Sequence, residues 1–70
     1  MTTRMREELF RVLDELSRSC PEVRFGQLIA NLSYMAKGPT NESIWDVEDQ
    51  QLLKAARKQL AERRKAASAA

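Results

Sequence analysis

Three features of this 70-residue chain predict an all-α fold, a small three-helix domain. Apolar residues recur at i, i+3, i+4 and i+7 through long stretches, the spacing of a helix that buries one face. Pro21 and the Gly38-Pro39 pair stand between those stretches, where helix-breaking residues belong. The composition, 43% hydrophobic and 31% charged, is that of a globular protein rather than a disordered tail. Helices are expected over about 3–18, 24–37 and 46–65, making residues 1–70 a single helical domain whose segment 61–70 is a frayed basic, alanine-rich tail.

In the first helix, Met5, Leu9, Val12, Leu13, Leu16 and Cys20 form the apolar stripe. Thr2 or Thr3 supplies an N-cap, and Glu7 and Glu8 sit near the positive end of the dipole. Arg4 with Glu8, Glu7 with Arg11, Arg11 with Glu15 and Asp14 with Arg18 are paired at i, i+4, which marks a solvated face. Phe10 lies about a quarter turn off the stripe, either a flank of a broad core face or an anchor for a second chain. Pro21 ends the helix, because the residue before a proline is pushed out of the α region. Cys20 then reads as a small buried hydrophobe rather than a reactive thiol.

The second helix carries three faces. Phe25, Leu28, Ile29, Leu32, Met35 and Ala36 make an apolar arc, and Arg24, Gln27, Asn31 and Tyr34 a hydrogen-bonding one. Gly26, Ala30 and Ser33 leave a third face with almost no side chain, which either admits another backbone or places Gly26 in a loose first turn. Lys37 and Gly38 punctuate the C-terminus.

A polar loop, GPTNES, leads to Ile44-Trp45-Asp46-Val47, read as an extended or 3₁₀ entry to the third helix. Asp46 is expected to cap that helix with Asp49 at N3, and Ser43 is an alternative cap. Trp45 is the only tryptophan and is expected to close the core over the second helix. Leu52, Leu53, Ala56 and Leu60 face inward on the third. The core is thus expected from Leu9, Leu13, Leu16, Phe25, Leu28, Ile29, Leu32, Trp45, Leu53 and Leu60.

Net charge is +2, but its distribution is uneven: residues 39–50 carry four acids and no base, whereas 51–70 sum to +5. The basic set Lys54, Arg57, Lys58, Arg63, Arg64 and Lys65 is a candidate nucleic-acid surface, although it holds no aromatic residue to stack on a base. Glu42, Asp46, Glu48 and Asp49 match no EF-hand spacing, so no metal is expected. The single cysteine cannot form an internal disulfide, and the absence of histidine removes both the usual zinc sets and the commonest neutral-pH base. No cofactor, catalytic residue or enzymatic activity is expected. The N-terminus shows no signal-peptide h-region and no apolar run reaches the length of a membrane span, which reads as a cytoplasmic chain with no membrane partner.

Over residues 21–53, about half the chain, the sequence PEVRFGQLIANLSYMAKGPTNESIWDVEDQQLL resembles a group of short bacterial proteins of no assigned activity. They share an R-[FL]-G-Q-L-[IV]-x-N segment followed by W-[DE]-V-E-D-x-x-L. Arg24, Phe25, Gly26, Gln27, Leu28 and Asn31 match the first segment, and Trp45, Asp46, Val47, Glu48, Asp49 and Leu53 the second. The resemblance implies a bacterial or phage source and supplies no substrate or cofactor. Glu22 and Val23 stand where an acid and often an aromatic are expected, which points to a looser turn after Pro21.

The polar constellation Arg24, Gln27, Asn31, Trp45, Asp46, Glu48 and Asp49 is the most specific candidate site. The acids are expected to fold back on the second helix, where Arg24 takes a carboxylate while Gln27 and Asn31 bond the backbone leading through Trp45. The rival is an exposed surface that reads a partner. The functional expectation is a small non-enzymatic protein-interaction module, an adaptor or regulator, self-associating because so short a chain buries little core. The alternative is a nucleic-acid-binding regulator.

Overall fold

In the computed structural model, which describes residues 3–69 and the side chains of 3–67, the chain is all-α. Three long helices, α1 (Thr3–Ser19), α2 (Phe25–Lys37) and α4 (Asp49–Ala69), are joined by a turn and by a one-turn helix, α3 (Glu42–Asp46). α1 buries Leu9, Val12, Leu13 and Leu16, the predicted stripe, and Cys20 just beyond it is 1% exposed. α4 is the spine, packing against both α1 and α2, while α3 rests on α2. Ion pairs from Arg6 to Asp49, Glu8 to Arg57 and Glu15 to Arg64 show that α1 and α4 run parallel. α2 runs antiparallel, with Ala36 near Ala55 at one end and Val23 near Gln59 and Arg63 at the other.

Leu28 and Leu32 of α2 and Leu53, Ala55, Ala56 and Leu60 of α4 complete the core, with Ile29, Ala36 and Leu52 packed at its edge. Two expected core residues lie outside it: Trp45 is 88% exposed and Phe25 55%. The buried arc of α2 is turned toward its small side, so Ser33 is fully buried and Met35 falls on the margin. The Ser33 hydroxyl donates to the Ile29 carbonyl at 2.8 Å, which satisfies it inside the helix. Gly26 admits no neighbouring backbone: a Cβ there would meet nothing within 4 Å. Phe10, 62% exposed, is no flank of the core.

The boundaries shift for identifiable reasons. Asp46 belongs to the end of α3, and Val47 is extended (φ −67°, ψ 128°), so α4 begins at Asp49 rather than 46. Glu48 is its cap, its backbone N–H donating to Gln51 Oε1 at 2.9 Å from the N3 position, half of a capping box. The segment 61–70, expected to be a frayed tail, continues α4 as far as Ala69, supported by alanine propensity and by Arg63 and Arg64, which reach Glu22 and Glu15. The Thr2 cap lies outside the described residues, and Thr3 opens α1 itself.

Candidate interaction site

α3 is fixed from below. α2 ends at Gly38, whose φ of 127° lies in a region only glycine adopts freely and whose N–H bonds the Tyr34 carbonyl at 2.8 Å. From there Thr40 N–H returns to the Gly38 carbonyl at 2.9 Å, and Ser43 Oγ donates to the same carbonyl at 2.6 Å. Ser43 is 4% exposed and also lies 3.2 Å from Thr40 Oγ1, while Tyr34 Oη reaches Asn41 Oδ1 at 3.4 Å. With Ser43 turned inward, the helical step of about 100° per residue carries Ile44 aside and points Trp45 almost directly away. Trp45 therefore stands in solvent on a pinned turn, beside Ile44 at 42% exposure. Glu42, Asp46 and Glu48 are exposed around it.

The expected fold-back does not form. Arg24, Gln27 and Asn31 are exposed, and among the described residues their side chains make no hydrogen bond or ion pair. The length of α2 separates Arg24 from the acids: Arg24 precedes its first turn, and the acidic segment follows its last, about 20 Å away along thirteen residues. Asp49 instead meets Arg6 at 3.2 Å. Among the described residues, no three of His, Cys, Asp and Glu converge in a way that would hold a metal ion.

The basic set divides. Arg57 reaches Glu8 at 2.9 Å, Arg63 lies 3.7 Å from Glu22, and Arg64 pairs with Glu15. Glu8 also accepts from Arg11 Nε at 3.1 Å, and these guanidinium bonds, Arg11 first and Arg57 next, hold its carboxyl down to about 2 from an ordinary 4.5. Lys54, Lys58 and Lys65 are exposed and share the outer side of α4 at i, i+4 and i+11. Among the described residues they enter no ion pair.

Lys54 and Lys58 rim an open furrow of about 530 Å³ between α2 and α4, with Gln51 beside them and Met35, Ala36 and Ala55 along it. Met35, 49% exposed, is also a wall of the adjoining depression, which Asn31, Gln59 and Arg63 line with Cys20 and Leu28. The molecule thus presents an acidic aromatic knuckle and an apolar furrow rimmed by lysines. Sequence reasoning singled out Trp45 and the acids but assigned the tryptophan inward. It missed Ser43 as the inward residue and missed Met35 as part of a surface.

Among the described residues, no helix is long and apolar enough to cross a membrane. No protein family matches the sequence, and neither a curated protein nor a solved structure is significantly similar to the chain.

Proposed function

We propose that the chain is a small non-enzymatic protein-interaction module of the bacterial cytoplasm, an adaptor or regulator that docks through the α3 knuckle. The observation that carries this reading is Trp45, 88% exposed on a turn fixed by Ser43. Leaving so large an apolar side chain in water forgoes the stabilisation of burying it, and exposed aromatic anchors of this kind are enriched at protein interfaces. Pinning the turn beforehand lowers the entropic cost of docking. The non-enzymatic part is supported by the lack of histidine and by the Cys20 thiol, which is buried and turned to the Leu16 carbonyl at 3.0 Å. The bacterial setting rests on the resemblance of residues 21–53.

Affinity capture tests the reading: immobilised wild-type protein is expected to retain a specific protein that Trp45→Ala, folded by circular dichroism, does not. Equal capture by both would remove Trp45 from the function. The second reading, nucleic-acid binding, is favoured by the line of Lys54, Lys58 and Lys65 on the outer side of α4, and weakened by the engagement of Arg57, Arg63 and Arg64 with acids. Retention on DNA or RNA that falls steeply with ionic strength, and is lost when these three lysines are replaced, would support it instead.

A further inference from the structure

We propose that the partner of the knuckle includes a second copy of this chain: Trp45 of each copy seats in the α2–α4 furrow of the other, about a two-fold axis. The inference rests on the reading of Trp45 as a docking residue and names what receives it.

Charge makes the first argument. Internal ion pairs account for Glu8, Asp14, Glu15, Glu22 and Asp49 among the acids. Glu7, Glu42, Asp46, Glu48 and Glu62 are left outside ion pairs among the described residues, and three of the five, Glu42, Asp46 and Glu48, surround the knuckle. Among the bases, Arg4, Arg24, Lys37, Lys54, Lys58 and Lys65 are left over in the same way, and Lys54 and Lys58 rim the furrow. Each surface carries what the other lacks, and apposing them lets an acidic rim meet a basic one while the apolar centres meet each other.

Shape makes the second. The knuckle is convex, with Trp45 and Ile44 at its summit, and the furrow is concave, with Met35, Ala36 and Ala55 apolar and 530 Å³ of room, ample for an indole. Met35 is the adaptable wall, because an unbranched thioether repacks readily around an aromatic ring. Gln51 in the furrow and Gln59 in the adjoining depression carry amide oxygens of the kind a buried indole N–H needs as acceptor.

Topology makes the third. α2 ends at Lys37 and α4 begins at Asp49, so the Met35, Gln51 and Lys54 end of the furrow lies at the same end of the molecule as α3. Knuckle and furrow thus lie toward the same end of the molecule. Two complementary halves at one end of a chain suit a two-fold interface, which uses the same surface twice and closes at two copies.

Sedimentation equilibrium of the full chain from micromolar to millimolar concentration tests the proposal, with circular dichroism confirming the fold of every variant. Wild type is expected to be a monomer–dimer equilibrium, and Trp45→Ala to weaken it about thirty-fold or more, as loss of a central interface residue does. Glu42→Lys with Asp46→Lys, and separately Lys54→Glu with Lys58→Glu, are each expected to weaken it alone. Mixed in equal amounts, the two double variants are expected to form a heterodimer at wild-type affinity, because both contacts then join opposite charges again. A wild type that stays monomeric throughout, a dimer indifferent to all of these changes, or a mixture that fails to pair would overturn the proposal. If Trp45→Ala leaves a dimer intact but abolishes capture of a different protein, the furrow is not the receiver while the interaction reading stands. If it changes neither, both fall.

Discussion

Gly38 holds the backbone at φ 127° and ψ 163°, a conformation open in practice to glycine alone, and nothing lies within 4 Å of where its Cβ would be. Gly38→Ala is therefore expected to cost about 1–3 kcal/mol through backbone strain, with no steric clash to relieve. Gly26 is equally open but lies inside α2, so Gly26→Ala is expected to stabilise by about 0.5–1 kcal/mol. Thermal unfolding of both variants measures the pair, and changes of the same sign would contradict the assignment. Arg24→Ala and Asn31→Ala, at exposed positions, are expected to change stability by about 0.5 kcal/mol or less. A larger loss in the same melts would return Arg24 and Asn31 to a structural network. Residue types were legible to different depths. Cys20 was readable as a buried hydrophobe because Pro21 fixed where its helix ends and the stripe fixed its phase. Trp45 was not, because its direction follows from Ser43 turning inward, and an inward serine carries no apolar signal.

α1 and α4 are parallel neighbours tied along one flank by Glu8 to Arg57 and Glu15 to Arg64. The carboxyl of Glu8 is depressed to about 2, so its contribution to stability is whole above 4.5 and is lost as pH falls from there through about 2. The Glu8→Gln variant is accordingly expected to melt below wild type near neutral pH, with the gap closing across that acid window. The pair is solvent-exposed, so added salt is expected to narrow the same gap. A gap independent of pH, followed by thermal melts in a pH series, would show that Glu8 acts through packing alone. At this scale α1 and the leucines of α2 and α4 were readable from periodicity. The rotation of α2 toward Ser33 was not, since small residues define a close-packing side only once a partner helix is known. Nor was α3: its five residues are too few to display a period, and the side-chain bonds that fix it, Ser43 Oγ to the Gly38 carbonyl and Tyr34 Oη to Asn41 Oδ1, leave no pattern in the sequence.

For the whole molecule, the last stretch of α4 is a surface element. Truncation after Leu60 removes the pairs of Arg63 and Arg64 but, among the described residues, no buried side chain, and is expected to cost about 1 kcal/mol by chemical denaturation. Loss of the cooperative transition would place part of the core in that segment. All-α architecture and the charge asymmetry were legible across the chain. What the asymmetry does was hidden, because pairing of Arg57, Arg63 and Arg64 with acids on α1 and in the following turn depends on two helices that are far apart in sequence. The central claim is that Trp45 is displayed to solvent by a folded chain and used for docking. As the only tryptophan, it makes intrinsic fluorescence a one-residue reporter. In dilute native protein the account predicts the emission of a solvated indole, quenched by acrylamide nearly as freely as in the unfolded chain, and a blue shift with loss of quenching as concentration rises. A blue-shifted, protected emission that persists at high dilution would place Trp45 in the core and contradict it.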